Sequence, residues 1–266
     1  MSAMKLQRFY LAQDIPQVGE LIIAEADLVH QLANVFRYQA GDRANLFNGS
    51  GDEFVAEIIS LSRREVKFKI LECHHRVTNQ GSAFGNSKSL ALVNPVSLYL
   101  AVIKKDNFEW AAEKSTEIGV AEIHPVLTAR SEKKELNGER LQKIVKEASE
   151  QSGRVTLPSV FPVTDLAVAV LQVVKEGKQG VVFHTVTDSE IEVGHNRPGH
   201  QTDHPALTKA GIDGCHPVAA FVGPEGGFTE TEIELFRKNN FEIRSLGQNI
   251  LRAETAAIIA VYSLLK

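Results

Sequence analysis

Along residues 1–75 apolar positions alternate with polar or outward-facing ones rather than recurring at helical spacing. Phe54, Ala56 and Ile58 mark one such run, and Val66, Phe68 and Ile70 mark another, interleaved with Lys67 and Lys69. The segment Asn48-Gly49-Ser50-Gly51 follows Leu46-Phe47 and reads as a tight turn. A period of two with turn residues between the runs predicts half-buried antiparallel strands. One helix precedes them in EADLVHQLANVFR, where Leu28, Leu32, Val35 and Phe36 share a face and Asp27 is placed to cap the start. Residues 1–75 therefore predict a small β-barrel of a size that can fold independently.

Residues 76–89 (RVTNQGSAFGNSKS) are polar, glycine-bearing and aperiodic, the composition of a linker. After it, short apolar runs alternate with amphipathic helices. SLYLAVI (97–103), AEIHPVL (121–127), GVVFHT (180–185), VAAFVG (218–223) and FEIRSLG (241–247) read as strands. NFEWAAEKSTEIG (107–119) reads as a helix with Phe108, Ala111, Ala112 and Ser115 on one face, ending at Gly119. GERLQKIVKEASEQSG (138–153) is a second, with Leu141, Ile144, Val145 and Ala148 inward, and ETAAIIAVYSLLK (254–266) closes the chain as an apolar helix. Such alternation predicts a largely parallel sheet covered on both faces, so that residues 76–266 form an α/β domain. Residues 186–216, polar and with four histidines, read as a surface excursion.

Composition narrows the function classes. The 266 residues are 43% hydrophobic and 23% charged, with a net charge of −4, so no global positive field points to a nucleic-acid partner, though a local basic patch suffices for one. The two cysteines, Cys73 and Cys215, form no CxxC pair, which is too few for a disulfide framework. Cys73-His74-His75 invites a metal reading, but neighbours on a strand point to opposite faces and cannot easily converge on one ion. No metal is expected. The first residues lack the apolar core of a signal peptide, and no apolar run reaches the roughly 18 residues of a membrane span. The expected setting is cytoplasmic, with no membrane partner.

The sharpest chemical signal is FVGPEGGFTETE (221–232): strand, glycine turn, helix. Thr229 and Glu232 have capping-box spacing, which fixes the helix start just past Gly223, Gly226 and Gly227. The phosphate-loop pattern GxxxxGK[ST] and the dinucleotide pattern GxGxxG are both absent. A tight turn needing positive φ would also explain the glycines. RSLGQNILRAETAAIIA (244–260) weighs the other way: it is a second strand–loop–helix, with apolar Leu246, Ile250 and Leu251 in the loop and Gly247 breaking the strand. Two such loops at the carboxyl edge of a parallel sheet offer backbone hydrogen bonds and an apolar slot, which suits a flat heterocycle such as adenine. Arg252 and Glu254 follow directly, and an ordinary helix-end salt bridge would account for them as well.

These two stretches resemble the signature loops of the RsmE family of SPOUT-superfamily methyltransferases, and the similarity extends in order through RFYL (8–11), HQLANVFRYQAGDRANLFNGSGDEFVAEI (30–58), EWAAEKSTEIGVAEIHPVLTARS (109–131) and EASEQSGR (147–154). The resemblance implies an N-terminal PUA-like β-barrel, an α/β domain with a C-terminal trefoil knot, and a homodimer with the cofactor site near the subunit interface. It implies S-adenosyl-L-methionine-dependent methylation of N3 of a uridine in 16S ribosomal RNA of the small subunit. Cofactor binding would fall to Gly223, Pro224, Glu225, Gly226, Leu246, Gly247, Ile250, Leu251 and Arg252, with His184 as a third wall. Arg252 would stabilise charge on the uracil oxygens, and Glu254 would position Arg252 or act as base. Arg8, Arg37, Arg130 and Arg154 are candidate RNA contacts, each of which could equally be a solubilising surface charge. Phe9 and Tyr10 could stack on a base or belong to the barrel core. A SPOUT enzyme with another RNA target, or a non-catalytic ribosome-assembly protein that keeps the fold, would share these loops.

Overall fold

A computed structural model describes residues 6–75, 95–131, 135–184 and 216–266; the proposed linker and nearly all of the 186–216 excursion lie outside them. The chain divides into two compact units, Met1–Thr78 with Lys146–Leu157, and Asn79–Val145 with Pro158–Lys266.

The first unit is built on five strands, β1 (Arg8–Tyr10), β2 (Gly19–Ile23), β3 (Arg43–Phe47), β4 (Asp52–Leu61) and β5 (Val66–His75), in the order β1-β3-β4-β5-β2. All pairs are antiparallel except β1 with β3. The alternation works as read: Phe54, Ala56, Ile58, Val66, Phe68 and Ile70 all face one core. The expected helix does not run as one α-helix. It is a short α1 (Ala26–His30) followed by a π turn over Gln31–Val35, closed by the Phe36 N–H donating to the Gln31 carbonyl at 3.0 Å. The wider turn shifts the helical phase, so Leu28 and Leu32 are buried while Val35, expected on their face, is 63% exposed. Asp27 lies inside the first turn, and Glu25 is the N-cap residue.

Residues 146–157 join this unit because Arg8 holds them. Its Nη1 donates to the carbonyls of Ser149 and Glu150, both at 3.2 Å, and its Nη2 to that of Arg154 at 2.7 Å. Its Nε meets Glu53 at 2.5 Å, and the guanidinium lies over the Phe47 ring. The Tyr10 N–H donates to the Glu150 carboxylate at 2.9 Å. Burial pushes the Glu150 carboxyl upward.

The second unit is an all-parallel, seven-stranded sheet: β6 (Val96–Ala101), β7 (Glu122–Leu127), β8 (Ser159–Val160), β9 (Thr164–Asp165), β10 (Gln179–Phe183), β11 (Val218–Val222) and β12 (Glu242–Arg244). Their order is β12-β10-β11-β6-β7-β8, with β9 also on β7. The helices are α2 (Lys105–Ile118), α3 (Gly138–Ser152), whose residues from Lys146 on belong to the first unit, α4 (Leu166–Lys175), α5 (Glu230–Lys238) and α6 (Ala253–Leu265). Side chains leave successive strand residues on opposite faces. Leu98, Leu100, Ala220 and Val222 therefore build one core with residues of α2 and α6, while Tyr99, Ala219 and Phe221 build another with residues of α4 and α5. On that second face the register stacks Phe221, Tyr99, His124 and Phe161 as a ladder of nearly parallel rings, with centroids 4.5, 4.2 and 4.0 Å apart.

Helix α4 has no counterpart in the sequence reading. Its LAVAVLQVVK is apolar nearly all round, and Val168, Leu171 and Val174 are exposed, so no polar stripe announces a helix. The strand expected over 241–247 is shorter, because β12 ends at Arg244 and the chain turns into the loop there.

Candidate functional site

The register of the sheet decides which loops meet. Phe183 at the end of β10 pairs with Val222 at the end of β11 and with Arg244 at the end of β12. The chain thus leaves three adjacent strands at one level, at His184, Gly223 and Ser245, and the candidate residues of three distant segments gather at one carboxyl edge. The His184 N–H donates to the Arg244 carbonyl at 3.0 Å, extending the ladder by one rung.

Gly223 and Pro224 are buried, whereas Glu225 and Gly226 are exposed. The Gly227 N–H donates to the Pro224 carbonyl at 2.8 Å, closing a turn, and Gly227 has φ +68°, the left-handed region that favours glycine. At Gly223 the need is for space: a Cβ there would lie 3.2 Å from the Phe228 ring. Positive φ therefore explains Gly227 and close packing explains Gly223. The turn carries few side chains beside His184, whose ring would stand 3.7 Å from a Cβ at Gly227.

In the second loop, Leu246 packs against the core beside α6, Leu251 is half-buried, and Ile250 is 86% exposed. Gly247 has φ +122° with open space around it. An apolar side chain as bare as Ile250 gains about 1.5–3 kcal/mol when something covers it. Arg252 is the exposed N-cap residue of α6 and Glu254 lies in its first turn, 7% exposed. One Glu254 carboxylate oxygen is buried without a hydrogen-bond partner among the described residues, and the salt bridge considered between these two side chains is not formed. A buried carboxylate lacking a full set of donors, next to an exposed arginine and two open loops, is the kind of group that functional sites retain.

The T-x-x-E spacing does form a capping box. The Thr229 N–H donates to Glu232 Oε2 at 2.7 Å, and the Glu232 N–H to Thr229 Oγ1 at 3.4 Å. No local pattern points to two further ties: the Ala129 N–H donates to the other carboxylate oxygen, Oε1, at 2.8 Å, and Arg130 Nη1 donates to the Gly226 carbonyl at 2.5 Å. These partners lie about a hundred residues apart in the chain, beyond any local pattern.

The four arginines proposed for RNA have different fates. Arg8 is buried with its guanidinium engaged, so the surface role expected for it does not fit its position. Arg154 Nε donates to the Thr156 carbonyl, and burial pulls its pKa down to about 10. Arg37 is exposed, at φ +56° just past the π turn, and Arg130 is exposed beside the glycine turn. Phe9 belongs to the core, edge-on to Phe36 and Tyr38, while Tyr10 is half-buried against Phe47. His74 and His75 pair with Glu72 and Asp52, respectively. Among the described residues no three potential ligands could hold a metal ion, and no helix is long and apolar enough to cross a membrane.

A mixed unit at the N-terminus and a parallel α/β unit with two loops at one sheet edge are the parts of the chain that RNA-methyltransferase families match. The RNA methyltransferase PUA domain family matches residues 25–71 and the RNA methyltransferase domain family matches residues 91–265. Ribosomal RNA small subunit methyltransferase E of Rickettsia conorii is 29% identical over 259 residues, covering 97% of this chain and 94% of its own. Two solved structures are similar throughout, each 26% identical. One is the ribosomal RNA small subunit methyltransferase E of Neisseria gonorrhoeae bound to S-adenosyl methionine (TM-score 0.72, covering 97% of this chain and 95% of its own). The other is a putative methyltransferase of Legionella pneumophila in complex with the same cofactor (TM-score 0.74, covering 98% and 97%). The chain belongs to the ribosomal RNA small subunit methyltransferase E family.

Proposed function

We propose that this protein is an S-adenosyl-L-methionine-dependent methyltransferase that modifies N3 of a uridine in small-subunit (16S) ribosomal RNA in the cytoplasm. The observation that carries the reading is the convergence of His184, the 223–227 turn and the 245–252 loop on three adjacent strand ends. The residues present fit the donor. Gly223, Pro224, Glu225 and Gly226 offer backbone groups with little side chain in the way, Leu246, Ile250 and Leu251 offer apolar surface for adenine, and Gly247 leaves open space. Arg252 closes the set.

The bound sulfonium donor supplies an electrophilic methyl group. Uracil N3 carries a proton at neutral pH, which must leave as the methyl arrives, so the site must stabilise negative charge on the ring or accept the proton. Exposed Arg252 is suited to the charge developing on the ring oxygens. Glu254, with its unpartnered oxygen, is suited to hold Arg252 in place or to take the N3 proton. Arg37 and Arg130 are the exposed candidates for phosphate, and Arg154 contributes from a more enclosed position. The reading includes residues 1–75 as the RNA-binding domain and 76–266 as the catalytic one, a C-terminal trefoil knot, and a homodimer.

Calorimetry with S-adenosylmethionine separates a donor-binding protein from one that keeps only the fold. Mapping methylated bases on small-subunit RNA from a deletion strain then identifies the target; loss of a mark other than N3-methyluridine would redirect the assignment. Arg252→Ala and Glu254→Gln should each lower kcat by about 10² or more, and wild-type turnover in both would remove these residues from the chemistry.

A further inference from the structure

We propose that Glu232 and Arg130 form a brace that positions the donor loop, with Glu232 acting as a positioning residue rather than only as a helix cap. The proposal rests on the donor-binding reading of the 223–227 turn. Capping alone uses one carboxylate oxygen: Oε2 accepts the Thr229 N–H at 2.7 Å. The other, Oε1, accepts the Ala129 N–H at 2.8 Å, and Ala129 belongs to the segment after β7. That segment is a closed turn, with the Ser131 N–H on the Thr128 carbonyl at 3.2 Å and the Thr128 N–H on Ser131 Oγ at 3.0 Å. Its Arg130 reaches back to the Gly226 carbonyl at 2.5 Å, and the Arg130 Cδ would lie 3.1 Å from a Cβ at Gly226. One guanidinium on Gly226 and one carboxylate at the helix start just after it thus tie the C-terminal side of the glycine turn to a second, hydrogen-bonded turn. Both bonds involve a charged group, which makes them stronger than neutral hydrogen bonds. Glycine-rich backbone is intrinsically mobile, and holding it in the binding-competent shape raises affinity by preorganisation.

Glu232→Ala removes the carboxylate's bonds to the Ala129 N–H and to the N–H and hydroxyl of Thr229. Glu232→Gln keeps one acceptor and replaces the other with an NH2 that cannot accept. Arg130→Ala removes the tie to Gly226 from an exposed position and should leave the thermal midpoint unchanged. Two measurements are made on the full chain: calorimetric affinity for S-adenosylmethionine, and amide hydrogen exchange of residues 223–228 without ligand. The expected result is an affinity loss of about tenfold in each alanine variant, an intermediate loss in Glu232→Gln, and faster exchange across the turn in all three. Wild-type affinity and wild-type exchange in both alanine variants would overturn the brace, as would a lowered thermal midpoint in Glu232→Ala with no change in exchange at 223–226. A wild-type protein that fails to bind S-adenosylmethionine would instead overturn the donor reading, while the exchange data would still decide whether the brace exists.

Discussion

Replacing Arg8 by methionine tests a concentrated set of buried polar contacts. The Arg8 and Glu53 side chains are only 5% and 2% exposed, and their ion pair is supplemented by three backbone carbonyls on the Arg8 side and by Asn45 Nδ2 at 3.4 Å from the Glu53 carboxylate. Methionine fills much of the same volume but leaves the Glu53 carboxylate buried without this cation and removes the donor that caps the last carbonyls of α3. Breaking a buried pair from one side costs about 3–5 kcal/mol. Glu53→Gln leaves the guanidinium with its three carbonyls and should cost less, about 1–3 kcal/mol. The double change Arg8→Met/Glu53→Leu should cost less than the sum of the two single changes, because no charge is then left buried. Native-state hydrogen exchange resolves the effect. Amides of β1, β3 and β4 should lose protection about a hundredfold or more in Arg8→Met, since 1.4 kcal/mol is a factor of ten. The single tryptophan, Trp110, lies in the second unit, so its fluorescence serves as an internal control. A loss below about 1 kcal/mol in Arg8→Met would refute the reasoning, because it would mean that Glu53 is satisfied without the arginine.

Other substitutions probe different forces. Gly180→Ala would place a Cβ 2.4 Å from the Phe241 ring, and the overpacking should lower stability by at least about 1–3 kcal/mol, read as a drop in urea midpoint. Gly223→Ala meets the Phe228 ring at 3.2 Å, a milder clash, so the fold should persist while calorimetric affinity for S-adenosylmethionine falls about tenfold or more. Glu122 accepts from Ser97 and Lys178 and lies 3.0 Å from His124; the His124 contact above all, with Lys178 and Ser97, holds its pKa down to about 2 against an ordinary 4.5. A depressed folded-state pKa gives stability that is complete above about 4.5 and lost as pH falls toward 2. Urea midpoints across that window should therefore drop more steeply in wild type than in Glu122→Gln, and parallel curves would count against the assignment.

Much of the fold could be read where the forces are local. Strand alternation in β4 and β5 and the faces of α2 and α3 follow from side-chain period, and the T-x-x-E pair fixed the start of α5. What could not be read depends on distance or on cancellation. The π turn at Gln31–Val35 changes the helical phase without any breaker residue, so Val35 went to the wrong face. Helix α4 lacks a polar stripe. Arg8 reads as a surface charge until Glu53 and the carbonyls near residue 150 are seen around it. The candidate site divides in the same way. Its glycines and apolar loop residues stand out in the sequence because they break local rules, whereas the ties of Ala129 and Arg130 to residues 232 and 226 exist only through the sheet.

The pairing order has a consequence for the chain during its synthesis. Strand β11 sits between β10 and β6, opposite residues made 122 positions earlier, as in Val218 against Val96. A nascent polypeptide exposes an unfilled central slot until that late segment emerges, and the first unit waits in turn for residues 146–157 to reach Arg8. The first unit should acquire protease resistance once residues 146–157 emerge and the second only after β11 has, and a chain halted near residue 140 should remain digestible from its first strand onward.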